Sequence, residues 1–146
     1  YFMFLDCDDI YCNKKIQKSY DVIKKYESIV GCVYSDYINM HIEDNINIFV
    51  NKEPFSRTRL LEECIIPPHS LVPKYVFDKI GLFDEEMRVA EDYDLWLRMS
   101  KYFIGYHIAE PLVKMRVGSY NSTNTVPKEI WNKNWNRIRK KLLNEL

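Results

Sequence analysis

Residues 1–9 read Tyr1-Phe2-Met3-Phe4-Leu5-Asp6-Cys7-Asp8-Asp9: five apolar side chains, then three acids around one cysteine. The run does not alternate, so it lacks the pattern of a strand with one wet face. It predicts a strand buried on both faces, in the middle of a sheet covered by helices. Next, residues 13–26 carry Ile16, Tyr20, Ile23 and Tyr26 at spacings of four, three and three. That spacing predicts an amphipathic helix with lysines on its outer face. Residues 29–37 are rich in β-branched and aromatic side chains. Strand, helix, strand in this order argues for an α/β layer architecture.

Farther along, residues 46–50 fit a short strand and 57–64 a short helix, and Pro67-Pro68 ends whatever precedes it. Residues 69–72 fit a strand that leads into a helix. Pro73 suits that helix's first turn and Gly81 its C-terminal stop, with Val76, Phe77 and Ile80 inward. A helix is expected from Glu91, with acids in its first turn and Leu95, Met99 and Tyr102 on one face. Residues 106–117 read as strand with a turn at Glu110-Pro111. Residues 128–143 read as a last amphipathic helix carrying Trp131, Trp135, Ile138 and Leu142.

The chain has 146 residues, 47% of them hydrophobic, and 21 basic against 21 acidic side chains. It is one domain or part of one. The charge balance argues against a nucleic-acid partner, and no apolar run approaches the ~20 residues of a membrane helix. Four cysteines without a CxxC pair argue against structural zinc and for reduced thiols in the cytoplasm. Six basic and two acidic residues fall in 127–146, so the rest is net acidic. The chain divides into an acidic part, 1–126, and a basic amphipathic helix, 127–146. Because it starts without Met on a core-like run, it is expected to be a piece of something longer.

Two acidic motifs carry candidate chemistry. Asp6 and Asp8 follow a strand end, where ligands bind in open α/β sheets. Their hard oxygens suit Mg²⁺ or Mn²⁺ shared with a phosphate-bearing substrate. A turn in which Asp caps the next helix is an equal reading of this motif alone. The second motif is Glu91-Asp92-Tyr93-Asp94-Leu95-Trp96-Leu97-Arg98. Taken alone it reads as a helix start, with Arg98 pairing back to Asp94.

Together, FLDCDDIY (4–11), then Ile80-Gly81-Leu82-Phe83-Asp84-Glu85, then EDYDLWLR (91–98), with Ala109-Glu110-Pro111-Leu112-Val113 at the close, resemble the bacterial family 2 glycosyltransferases of the GT-A fold. The likeness covers about residues 1–123. It implies a GT-A-like mixed sheet flanked by helices, the C-terminal part of that fold. The implied activity is inverting transfer of a sugar from a nucleotide-diphospho-sugar to an acceptor hydroxyl, in polysaccharide biosynthesis. Asp6 and Asp8 match the DxD, with Asp8 as the direct metal ligand for Mn²⁺ or Mg²⁺ and Asp6 nearer the donor sugar. Asp92 matches the general base, and Glu91 lines the acceptor site. A carboxylate at a helix N-terminus is expected to stay ionised, which makes Asp92 available as base. Trp96 faces either the acceptor or the core, with core packing favoured. The implied partners are a nucleotide-sugar donor and a sugar or lipid-linked acceptor.

The chain departs from that pattern twice. It begins on the DxD strand, without the preceding half that holds the nucleotide base, so alone it is expected to be inactive. Arg116-Val117-Gly118-Ser119 also lacks the His that many relatives place there, which leaves a third metal ligand open. His41, His69 and His107 read as packed or surface residues. The alternative class is a haloacid-dehalogenase-like phosphatase using Asp6 and Asp8, although Ile10 stands where that family wants Thr or Val. The tryptophan stripe of 128–146 either docks on the domain or lies on the inner face of an anionic membrane.

Overall fold

The computed structural model describes residues 1–143. In chain order the elements are β1 (Phe2–Met3), β2 (Ile10–Tyr11), α1 (Lys15–Lys25), β3 (Val30–His41), β4 (Ile46–Val50), α2 (Arg57–Glu62), β5 (Leu71–Val72), α3 (Lys74–Ile80), α4 (Glu91–Met99), β6 (Ile104–Val117), α5 (Ser122–Thr125) and α6 (Lys128–Leu143). The strands form one mixed sheet in the order β1-β5-β3-β6-β2, with β4 also on β3. β3 and β6 run parallel, and the other pairs are antiparallel. This is the α/β architecture that the element order predicts, with the mixed sheet and flanking helices that the resemblance implies.

The centre of the sheet is β3, where Val30 to Asp36 are all buried. Side chains on adjacent strand positions point to opposite faces. Val33 accordingly packs with Ile23 of α1 and Leu71. Cys32 and Tyr34 pack instead against Leu60, Val76, Leu95, Trp96 and Ile138. Helices therefore cover both faces. At Gly31 a Cβ would lie 2.5 Å from Phe103 Cβ and 2.6 Å from Met99 Sδ, so the C-terminal end of α4 closes on β3 only because that residue has no side chain.

The structure corrects four expectations. Residues 1–5 do not form the central strand. β1 is two residues long and lies at the sheet edge on β5. Its apolar side chains are spent on ring contacts: Phe2 with Phe77, Phe4 with Phe83, and Tyr1 with Tyr20. The inner face of α1 is also rotated from the expected stripe. Ile16 and Tyr20 are exposed, while Lys15, Ser19 and Ile23 are buried. The Lys15 ammonium donates to Ser35 Oγ on β3 at 3.1 Å, a polar anchor that hydrophobic spacing does not register. No turn breaks β6 at Glu110-Pro111. The register shifts there instead, Ser35 opposing Ile108 and Asp36 opposing Pro111, a bulge that takes up the residue without an N–H. Tyr102 lies beyond α4 and is exposed.

α6 docks on the domain. Trp131, Trp135 and Leu142 pack on the core around buried Ile138, and Asn134 Nδ2 donates to the Val89 carbonyl at 2.7 Å. The tryptophans of the stripe are partly buried against the domain. Among the described residues no helix is long and apolar enough to cross one. All four cysteines are free.

Candidate active site

Past β1 the chain turns sharply at Asp6–Asp9, closed by the Asp9 N–H donating to the Asp6 carbonyl at 3.0 Å. Asp9 Oδ1 accepts the Arg116 N–H at 2.9 Å, which ties the turn to β6. The Tyr11 hydroxyl donates to the Phe4 carbonyl and ties it to the end of β1. Burial pushes the Asp9 carboxyl upward, the Asp8 and Asp6 charges add to this, and the Arg116 N–H opposes it. Asp6 is left at the exposed lip of the turn.

The second motif arrives on α4. Ala90, just before it, sits in the left-handed region at φ 59°. For a residue with a Cβ that conformation costs roughly 1–2 kcal/mol, a strain of the kind that collects at functional sites. Asp92 Oδ1 accepts the Tyr93 N–H at 2.8 Å. Burial nonetheless pushes the Asp92 carboxyl up to about 6, with the Glu91 and Asp6 charges adding to it. Burial therefore outweighs the helix terminus, yet the carboxyl is still ionised at neutral pH.

Asp6, Glu91, Asp92 and Pro68 share one cleft with two adjoining lobes. The first lobe, about 240 Å³, is walled by Phe4, Phe83 and Trp96. The second, about 360 Å³, is walled by Arg88, Asn121, Ser122, Thr123 and Trp131. Asp92 lies where the lobes meet. Sequence reasoning found Asp6, Glu91 and Asp92 but missed Arg88, Pro68 and the α5 residues. Arg88 had a signal, as the lone cation among six acids in residues 84–94. Trp96 is 1% exposed, so it packs in the core as favoured, yet it also lines the first lobe.

Asp8 lies at the turn, half-buried, and lines neither lobe. Among the described residues no group of three or more His, Cys, Asp or Glu side chains is arranged to hold a metal ion. A cation beside Asp6 and Asp8 would therefore take one or two carboxylates and complete its shell from phosphate and water, which is how Mg²⁺ commonly binds. The residues fit that hard-oxygen chemistry. Asp94, two residues past Asp92, pairs with Arg98 at 2.8 Å as the spacing predicts. His107 bonds Asp36 at 2.7 Å and stacks on Tyr34. His69 is buried against Tyr37, and its ring is held neutral with its pKa near 3 by burial.

No protein-family profile matches the chain. It is 30% identical over a 152-residue alignment to an uncharacterized glycosyltransferase of Rickettsia typhi, covering 97% of this chain and 48% of that protein. It is similar to another from Rickettsia prowazekii, 29% identical over 155 residues, 99% of this chain and 49% of that one. A third, from Rickettsia conorii, is 26% identical over 134 residues, 86% of this chain and 22% of that protein. The chain is similar to glycosyltransferases. It spans about half the length of the first two relatives. These likenesses support a general glycosyl-transfer role and give no support to the phosphatase alternative.

Proposed function

We propose that this chain carries the base-bearing part of an inverting, GT-A-type glycosyltransferase, with Asp92 as general base. The observation that carries the reading is the Asp92 carboxyl, pushed up to about 6 at the junction of two lobes beside Asp6 and Glu91. A base works best when its pKa lies near the operating pH. At neutral pH Asp92 is ionised yet holds a proton more firmly than an ordinary carboxylate.

In the proposed reaction an acceptor hydroxyl in the aromatic lobe gives its proton to Asp92. Its oxygen forms a bond to the anomeric carbon of the donor sugar. The bond from that carbon to the nucleoside diphosphate breaks, and the diphosphate leaves from the opposite face with its electron pair. The polar lobe, with the Arg88 guanidinium and the Ser122 and Thr123 hydroxyls, suits the anionic leaving group. Mn²⁺ or Mg²⁺ held by Asp8 and Asp6 would supply positive charge against that diphosphate. Glu91 holds the acceptor beside the base.

Asp92→Asn in the intact protein tests this. Transfer from a nucleotide-sugar should fall by roughly 10²–10⁴-fold, while donor affinity stays close to wild type. The acidic limb of the wild-type rate profile, near pH 6, should disappear with the residue. Normal turnover with an unchanged limb would rule out Asp92 as the base.

A further inference from the structure

The strand β4, Ile46-Asn47-Ile48-Phe49-Val50, pairs only with β3 among the described residues, so its other edge is open. Side chains alternate along a strand. Ile46, Ile48 and Val50 therefore share one face, and Asn47 and Phe49 the other. Neither face is covered: Ile46, Ile48 and Phe49 are each about half exposed. Open edges recruit further strands, and proteins ordinarily blunt them with charge, proline or a bulge. β4 holds no charged residue and no proline, and its register with β3 runs unbroken from the Tyr37–Val50 pair to the His41–Ile46 pair.

The charges stand at the ends instead, Asp44 before the strand and Lys52 after it. When β4 meets a second β4 antiparallel, with Ile48 on the two-fold axis, Ile46 faces Val50 of the second copy and Asp44 faces its Lys52. The axis repeats each contact. A parallel pairing in register would set Asp44 on Asp44 and Lys52 on Lys52, and like charges opposite each other are destabilising. The antiparallel register also brings Glu43 toward Glu53, but Glu53 is paired with Arg59, and Glu43 accepts from the Ser119 hydroxyl at 3.2 Å.

We propose that β4 is a homodimerisation edge: two copies of this chain pair antiparallel through Ile46–Val50, centred on Ile48, and one sheet continues through both. The partner is a second copy because β4 already carries both halves of the complement, aliphatic against aliphatic in the middle and acid against lysine at either end. The inference is independent of the proposed reaction, for no residue of β4 lines the cleft. So short a strand makes a small contact, so the dimer is expected to be reversible, with a Kd on the order of 1–100 µM.

Sedimentation velocity on the intact protein from about 1 to 200 µM, with amide exchange read in β4, tests this. The mass should rise toward two copies with concentration, and the β4 amides should slow their exchange in step. Ile48→Lys sets two lysines face to face on the axis and should weaken association roughly tenfold or more. Asp44→Lys and Lys52→Asp should each lose self-association, whereas their equimolar mixture should form the mixed dimer, since every end then meets its opposite. Ile48 is exposed, so its variant should keep the wild-type melting temperature, and it decides the matter should a charge variant fail to fold. A monomer throughout, association unmoved by Ile48→Lys, or a mixture no tighter than its separate parts would overturn the proposal. So would β4 amides protected at every concentration, which would put another segment of the intact protein on this edge.

Discussion

Asp92 and Asp94 stand two residues apart on α4 and have opposite surroundings. Asp94 is 2% exposed and satisfied on both oxygens, by Arg98 Nε at 2.8 Å and Lys141 Nζ at 2.5 Å. Those cations belong to a network in which Arg137 and Lys141 of α6 also hold Asp84, and Arg137 holds Glu86. Hydrogen bonding from Arg137 holds the Asp84 carboxyl well below the ordinary range. Asp92 lines the cleft, accepts the Tyr93 backbone N–H, and is raised by burial and two neighbouring acids. A helix turns about 100° per residue, so two residues separate opposite sides. One side of α4 is saturated with cations and holds α6 in place. The other keeps a carboxylate at a cost in stability, which is what a general base needs.

The largest expected contrast is between the two Asn substitutions. Asp92→Asn should lose activity as stated above while making the fold more stable. The sign follows from the raised pKa. A carboxyl whose folded value lies above its unfolded 3.8 contributes most when protonated, below about pH 4, and that contribution is lost as pH rises through about 6. At pH 7.5 the Asn variant should gain on the order of 2–3 kcal/mol over wild type, with little gain at pH 4. Urea unfolding at the two pH values checks it. Equal stability at both would mean that Asp92 is solvated and unstrained.

Asp94→Asn should behave in the opposite sense. It leaves Arg98 and Lys141, which are themselves partly exposed, without their shared anion and should destabilise by roughly 2–4 kcal/mol, somewhat less than the roughly 3–5 of a fully buried pair. Lowered activity in this variant should recover on cooling or in stabilising osmolyte, because the loss runs through the population of folded protein. Activity that stays low at full folding would place Asp94 in the chemistry and erase the contrast.

Lys15 is a third buried charge, and it sharpens the comparison because it lies away from the cleft. It is 0% exposed and donates to Ser35 Oγ, and burial lowers its pKa from 10.5 to about 8. A depressed value means that the contribution is present above the unfolded 10.5 and lost as pH falls through about 8. Lys15→Met should therefore stabilise at pH 7 by about 2 kcal/mol, and the difference should shrink toward pH 10. If Lys15→Met destabilises at pH 7, the ammonium is better paired than the Ser35 bond alone implies.

These cases also mark what could be read without coordinates. Ile46–Val50, the start of α2 at Arg57, the Gly81 stop of α3 and the Glu91 start of α4 were legible, because each depends on local pattern or on a terminator. The place of residues 1–5 was not. An apolar run does not distinguish a strand covered on both faces from a half-exposed edge strand held by ring contacts. The face of α1 was misread for a related reason: periodicity counts Lys15 as an outward residue. In the site, Asp6, Glu91 and Asp92 stood out as acids in a pattern. Pro68 and the α5 residues join them only through the folded topology, and the rise in the Asp92 pKa depends on burial that a sequence does not display.

The smallest expected effect lies at the outer end of the saturated side. Arg137 holds Asp84 at 2.6 Å and Glu86 at 2.5 Å, but it is 39% exposed and Glu86 is 71% exposed. Exposed pairs are screened by salt and contribute little, because two long side chains must be ordered to make them. Lys141 stays on Asp84 at 2.7 Å when Arg137 is gone, so the carboxylate keeps a cation. Arg137→Gln should therefore lower the melting temperature by only about a degree or two at low ionic strength, with the difference fading at roughly 0.5 M salt. A loss as large as that of Asp94→Asn, or one indifferent to salt, would mean that the charges holding α6 act as a single cooperative unit. The outer residues would then be as indispensable as Asp94, and the gradient from buried to exposed pairs across this face would not hold.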